Sequence, residues 1–386
     1  LAVENIKLFY LGGFTEMKKA KLFGLGVVAA GLTVALAACG GGNSETTDST
    51  GGGSAGGSTD ADHSVVIVTD IGGVDDKSFN QSAWEGLQEW GKDNDLSKGA
   101  GGYDYIQSND ASEYVTNIDT AVSNGFNTVF GIGYLLADSI SAAADQNPDT
   151  QFGIIDSVIE GKDNVVSATF KDNEASYLAG VAAANTTLTD KVGFIGGEEG
   201  VVIDRFEAGF RQGVADASEE LGKDITVDVK YAASFGDPAK GKSLAAAMYQ
   251  SGIDIIFHAS GGTGAGVFQE AKDLNETGDQ DKVWVIGVDS DQDAEGKYTT
   301  KDGKEDNFTL TSTLKGVGAA VKDISNLALE DKFPGGEHKV YGLKDGGVDL
   351  TAGYLSDDAQ KAVDTAKEKI IAEEVEVPEV PEDVKD

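Results

Sequence analysis

From Ser64 onward the chain alternates short β-branched runs with longer stretches whose apolar residues recur every three or four positions. The runs VVIVT (65–69), YDYIQ (103–107), NTVFGI (127–132), FGIID (152–156) and VVSATF (165–170) predict one set of strands. KVGFI (191–195), ITVDVKY (225–231), DIIFH (254–258) and VWVIGV (283–288) predict a second set. EYVTNIDTAVSN (113–124) and DRFEAGFRQGVADASEEL (204–221) have the helical period and lie between strands. Strands that are apolar throughout are buried on both faces. Their alternation with helices predicts an α/β fold with parallel sheets.

About 310 residues of this pattern are too many for one small sheet, and KVGFIGGEEG (191–200) opens a fresh strand with its own glycine turn. Two doubly wound lobes joined by a hinge are therefore expected. LTSTLKGVGAAVKDISNLAL (310–329) is expected as a helix without the usual following strand, returning to cover the first lobe. Crossings then fall near Phe170, Asp289 and Phe333. Lobe 1 would comprise 64–169 plus 290–331, lobe 2 would comprise 170–289 plus 332–375, and 376–386 would be an acidic tail. Ligands bind at the carboxyl ends of the strands in such sheets, and crossings between lobes make a hinge.

The amino-terminal pattern is different. Residues 1–16 precede the first methionine, and Met17 is the expected start, with 1–16 an upstream extension. Met17 opens a basic head (Lys18, Lys19, Lys21), an apolar stretch from Leu22 to Ala38 and the small-residue ending LAAC, as in a secretory signal over 17–38. A transmembrane anchor of about 17 apolar residues would be at the short limit for a bilayer. LAAC resembles a bacterial lipobox, and Cys39 is the chain's one cysteine, so it cannot form an internal disulfide. Lipidation of Cys39 and a membrane anchor through it are expected, with the protein on the extracytoplasmic face of the cell membrane. Residues 40–63 are mostly Gly, Ser, Thr and Asp. A flexible tether of ~24 such residues reaches roughly 25–30 Å.

Charge narrows the partners. The chain carries −36, and residues 1–38 hold four lysines and two glutamates, so 39–386 carry −38. Nucleic acid and anionic lipid surfaces need clustered Lys and Arg, and neither is expected as a partner.

The candidate chemistry starts at VTDIGGVDDKSFNQSAWEGL (68–87), where Asp70, Asp75, Asp76 and Phe79 follow a strand. SFNQ (78–81) reads as a capping box, Ser78 capping the helix and Gln81 reaching back. Ala83, Trp84, Leu87 and Trp90 then form its apolar face. Phe79 either covers the sheet edge or faces a cleft. DIGGVDD resembles the aspartate-rich loop of nucleoside hydrolases, but Val68 stands where that pattern has an acid and the loop is one residue longer. Calcium wants six to eight oxygens, so the fit is poor. DSDQD (289–293) starts like a calcium loop, yet Ala294 and Thr300 occupy the Gly and Glu places. GGTGAG (261–266) lacks the Gly-Lys-Ser/Thr ending of a phosphate loop. His63, His258 and His338 show no metal-ligand or triad spacing. No catalytic residue, metal or cofactor is expected.

DIGGVDDKSFNQSAWEG, SFGDPAKG (234–241), ASGGTGAGVF (259–268), VIGVDSDQ (285–292) and TSTLKGV (311–317), in this order, resemble the basic membrane protein family. Its members, PnrA-like lipoproteins, bind purine nucleosides for ABC transporters. The resemblance runs from about Val65 to Leu329 and implies a type I periplasmic-binding-protein fold, an ABC permease with its ATPase as partners, and no enzymatic activity. It implies that Asp70 hydrogen-bonds the base, that Phe79 and Phe235 stack on its two faces, and that Gly261 or Gly262 brings backbone close to the ribose. Asp289 and Lys315 would bind the ribose hydroxyls, and Asn109 in QSND would add a base contact. Asp75, Asp76 and Lys77 would shape the turn. An acidic cleft with a single lysine would repel a phosphate and favour nucleosides over nucleotides. A sugar ligand on the same fold, or a nucleoside hydrolase, are the alternatives.

Overall fold

The computed structural model describes residues 63–382. The expected upstream extension, leader, Cys39 and most of the tether lie outside the described residues. In the first lobe β1 (Val65–Thr69), α1 (Phe79–Asp93), β2 (Tyr103–Ile106), α2 (Tyr114–Ser123), β3 (Thr128–Ile132), α3 (Ala137–Gln146), β4 (Gln151–Ile155) and β5 (Val165–Phe170) alternate as the pattern predicts. The chain then enters α4 (Asp172–Thr186), β6 (Lys191–Gly196), α5 (Val201–Leu221), β7 (Thr226–Tyr231), α6 (Pro238–Gln250), β8 (Ile255–Ala259), α7 (Gly264–Thr277) and β9 (Trp284–Gly287). A small ribbon of β10 (Lys297–Thr299) and β11 (Glu305–Asn307) leads to β12 (Thr309–Lys315). The rest is α8 (Val317–Leu329), β13 (His338–Tyr341), β14 (Val348–Leu350) and α9 (Asp357–Ile371).

Each lobe is a six-stranded sheet. The first has the order β13-β5-β4-β3-β1-β2 and is parallel throughout. The second has the order β14-β12-β9-β8-β6-β7, parallel except for β14 against β12. Strand order reverses at β1/β3 in one sheet and at β6/β8 in the other. Crevices open at such switch points, beyond the carboxyl ends of the strands.

Three expectations about organisation change. The span 310–329 is two elements: its first residues belong to β12, and the helix begins only at Val317. β-branched threonines favour the strand, and Gly316 alone separates it from the helix, so no loop marks the boundary. Sheet membership consequently differs from the expected lobes. β12 pairs in the second sheet and β13 in the first, whereas the expected division puts 290–331 in lobe 1 and 332–375 in lobe 2. α8 does pack on α1 of the first lobe, where Lys322 pairs with Asp93 at 2.7 Å. After the passage at 170–172, the later crossings therefore fall at 315–317 and 341–348, rather than near Asp289 and Phe333. Finally, residues 376–382 do not form a free acidic tail. Val377 is buried, its carbonyl accepts from Asn173 Nδ2 at 2.8 Å, and Glu379 pairs with Arg205.

The second lobe is anchored by the crossing of α4 and α5. Almost every residue of α4 is buried, and the backbones meet so closely that a Cβ at Gly213 would lie 2.1 Å from the Tyr177 carbonyl oxygen. Beside this crossing Phe194, Phe210 and Phe257 pack with ring centroids 5.3–6.2 Å apart.

Candidate ligand-binding site

The two switch points face one cavity, lined by residues from the strand ends of both sheets, where ligands of such folds bind. Asp70 leaves β1, and Gly133 and Tyr134 leave β3; Ser260, Gly261 and Gly262 follow β8. Asp156, Asp289 and Lys315 line the cavity from the ends of β4, β9 and β12. Phe79, at the first position of α1, and Phe235, in the loop before α6, supply rings. Phe235 lies so close to Gly197 that a Cβ there would meet its Cε1 at 2.3 Å. Tyr134 meets Phe235 edge-on at 6.5 Å between centroids.

The helix start is built differently from the expected capping box. Asp76, rather than Ser78, caps α1: its carboxylate accepts from the backbone N–H groups of Ser78, Asn80 and Gln81 at 2.9, 2.9 and 3.1 Å. An ionised acid at a helix amino terminus satisfies orphan donors and complements the macrodipole. Ser78 is thereby released to donate its hydroxyl to Asp289 Oδ2 at 2.5 Å. Gln81 bonds Glu85 instead of reaching back. Asn80 donates its side-chain amide to both Asp70 Oδ1, at 2.7 Å, and Asp76 Oδ2, at 3.0 Å. These bonds commit Asp76 and one oxygen of Asp70 to amide donors.

One end of the cavity concentrates charge. Lys315, 5 % exposed, pairs with Asp156 at 2.7 Å and Asp172 at 3.2 Å. Among the described residues neither Asp172 oxygen has a well-directed hydrogen bond, and Asp156 Oδ1 is also without one. Burial opposes the ammonium, but Asp156, Asp172 and Asp289 outweigh it and hold Lys315 above its ordinary pKa. Burial pushes Asp172 up to about 7 and Asp289 up to about 6, Lys315 opposing the rise in both. At the other end burial raises Asp70 to about 6, against hydrogen bonds from Gly72 and Asn80. The lysine also lies 5.2 Å from the ring centroids of Phe79 and Phe170, within cation–π reach.

Seven of the eight expected ligand contacts, Asp70, Phe79, Phe235, Gly261, Gly262, Asp289 and Lys315, line this one cavity. Asn109 does not. It is exposed, and its backbone and side-chain amides both donate to Glu113. The sequence reading missed Asp156, Asp172, Tyr134, Asn80 and Phe206. Asp156 carried a usable signal, since it is the last residue of FGIID and an acid at the carboxyl end of a parallel strand faces the crevice. Asp172 had none: it reaches Lys315 only because the chain changes lobes there.

Two doubly wound lobes, several crossings and a charged cavity between their switch points define a substrate-binding protein of the type I periplasmic fold. The solved solute-binding protein of an ABC transporter system from Aeropyrum pernix K1 has this fold, with a TM-score of 0.72 and 24 % identity, covering 83 % of this chain and 94 % of that one. Residues 63–380 match the model of the Bmp family, ABC transporter substrate-binding proteins of PnrA-like type. The chain belongs to this family. It is 54 % identical over 318 residues to the ABC transporter nucleoside-binding protein BmpA of Lactococcus lactis, covering 82 % of this chain and 89 % of that protein. It is 50 % identical to the CD4+ T-cell-stimulating antigen of Listeria monocytogenes (83 % and 89 % covered). To basic membrane protein A of Borreliella burgdorferi it is 34 % identical (80 % and 85 % covered).

Proposed function

We propose that the protein is a lipid-anchored, extracytoplasmic receptor that captures nucleosides and hands them to an ABC permease and its ATPase. The observation that carries this reading is the pairing, in one cavity, of two rings from opposite lobes, Phe79 and Phe235, with a buried carboxylate at one end and the Asp289–Lys315 group at the other. A base fits between rings, and stacking contributes roughly 1–3 kcal/mol per ring. Vicinal hydroxyls suit the carboxylate of Asp289 and the ammonium of Lys315, each charged hydrogen bond adding ~1.5–3 kcal/mol. Micromolar affinity requires ~8 kcal/mol, which this set supplies after closure of the lobes is discounted. The similarity to a protein named for nucleoside binding supports the same class of ligand. Three carboxylates around a single lysine disfavour a phosphate. Cys39, in LAAC, is the proposed site of the anchor.

Calorimetry with inosine, uridine, adenosine monophosphate, D-ribose and D-arabinose tests the ligand class. Micromolar binding of nucleosides, with weak or no binding of the nucleotide and the sugars, is expected. Preferential sugar binding would replace the nucleoside with a pyranose between the rings. Chromatography of the inosine sample after incubation, with and without calcium, tests for catalysis: release of free base would make the protein a hydrolase.

A further inference from the structure

The acid at the base end of the cavity has only one oxygen to offer. Asp70 Oδ1 already accepts from the Gly72 N–H at 3.0 Å and from Asn80 Nδ2 at 2.7 Å. Oδ2 turns the other way, towards the Phe79 edge: a Cβ on Gly133 would lie 3.1 Å from Asp70 Oδ2 and 3.5 Å from Phe79 Cε1. Among the described residues no protein donor reaches Oδ2, although Asp70 is only 8 % exposed. The amide that fixes this orientation is itself fixed, because Asn80 also donates to Asp76, and Asp76 is held by three backbone N–H groups of α1. The helix start thus sets Asp76, Asp76 sets Asn80, and Asn80 sets Asp70.

We propose that Asn80 is a positioning residue that commits Asp70 to reading a base through Oδ2 alone, so that the site selects nucleosides whose base edge presents an N–H at that point. The inference rests on the nucleoside reading above. An ionised carboxylate only accepts, and a protonated one donates. Guanine and hypoxanthine offer N1–H, uracil offers N3–H, and adenine and cytosine offer an exocyclic amine. A single acceptor takes any of these, so purines and pyrimidines are both admitted. Purine riboside, whose N1 is bare and whose C6 carries no amine, is disfavoured.

The same oxygen makes the preference reversible. Burial, with Asp76 and Asp156 adding to it, holds Asp70 near 6. The other groups facing it are the phenols of Tyr114 and Tyr134, both raised above the usual tyrosine range, and Lys315 beside the Phe79 ring. None of the phenols or the ammonium changes charge between pH 5 and 7.5. Asp172 and Asp289 titrate in that window but belong to the sugar end, and their effect cancels between ligands that share a ribose.

Calorimetry with inosine, 1-methylinosine and purine riboside at pH 7.5 and pH 5.0 is the test. At pH 7.5 inosine should bind at least tenfold tighter than the other two. Lowering the pH should narrow the inosine advantage over purine riboside by about tenfold or more, since a group with pKa near 6 is ~90 % protonated at pH 5 and then donates to the bare N1. In Asn80→Ala the pH 7.5 advantage should shrink below threefold and the midpoint of its pH dependence should move upward, because a hydrogen bond that favours the ionised acid is gone. Asn80→Ser, which keeps one short donor, should fall between and serves if the alanine variant does not fold. Equal binding of inosine and purine riboside at pH 7.5, or an advantage that does not change with pH, overturns the inference while leaving nucleoside binding intact. No binding of any nucleoside overturns both.

Discussion

Replacing Lys315 by Met removes the cation that, among the described residues, pairs with a buried group of acids, and leaves its volume roughly filled. Asp156 and Asp172, at 2.7 and 3.2 Å from the ammonium, would lose their counter-charge inside the protein. Breaking a buried pair by deleting one partner costs ~3–5 kcal/mol. A domain of about 320 residues unfolds with ~2.1 cal/mol/K per residue, or ~0.7 kcal/mol/K, so the melting temperature at pH 8 should drop by ~4–7 °C. The deficit should depend on pH. Asp172 and Asp289 sit near 7 and 6 in the folded protein because of burial, above the ~3.9 of an unfolded chain. The folded state therefore binds more protons between these values, and stability falls as pH rises through that window. Without the lysine its opposition to the rise is lost, the window extends upward, and the loss deepens towards alkaline pH. At pH 5 Asp172 and Asp289 are mostly neutral in both proteins, and the deficit should shrink. Differential scanning calorimetry at pH 5 and pH 8 decides: a variant that melts within about 1 °C of the parent at pH 8, or whose deficit is no smaller at pH 5, refutes the charge reasoning.

Phe79→Ala and Phe235→Ala should each weaken inosine and free hypoxanthine alike, by ~1–3 kcal/mol in titration calorimetry. Asp289→Ala should weaken inosine by ~1.5–3 kcal/mol and hypoxanthine far less; equal losses for both would place the sugar contacts elsewhere. Gly213→Ala pushes a methyl against the Tyr177 carbonyl and should destabilise by ~1–3 kcal/mol through overpacking, read by urea unfolding. Cys39→Ala should shift the protein from the membrane to the soluble fraction or trap an unprocessed precursor, read by fractionation and mass spectrometry.

How far the sequence reached is clearest at particular residues. VVIVT, FGII and VVSATF lie in strands because they are mostly apolar on both faces, and burial on both faces is what the sheet imposes. β12 escaped because TLTSTLK mixes polar and apolar residues and runs through one glycine into α8. Ser78 looked like a cap by type and spacing, but Asp76 satisfies the same N–H groups and carries charge. Asn109 sat in a plausible motif and turned out to serve Glu113. Lys315 was expected at the ligand, yet its three acidic neighbours come from strand ends and a helix start far apart in the chain. No local pattern encodes that meeting; only the interleaved topology does.

That interleaving also bears on the order in which the molecule can be finished as it is made. β13, at 338–341, adds the last strand to the first sheet, while β14, at 348–350, and α9 complete the second. A nascent chain of 300 residues thus holds two incomplete layers, each with an unpaired strand edge of the kind that invites wrong partners. Truncation near the carboxyl terminus would weaken both halves at once instead of deleting one. Both halves reach completion within the same short stretch of synthesis. Until then neither sheet has its full set of paired strands.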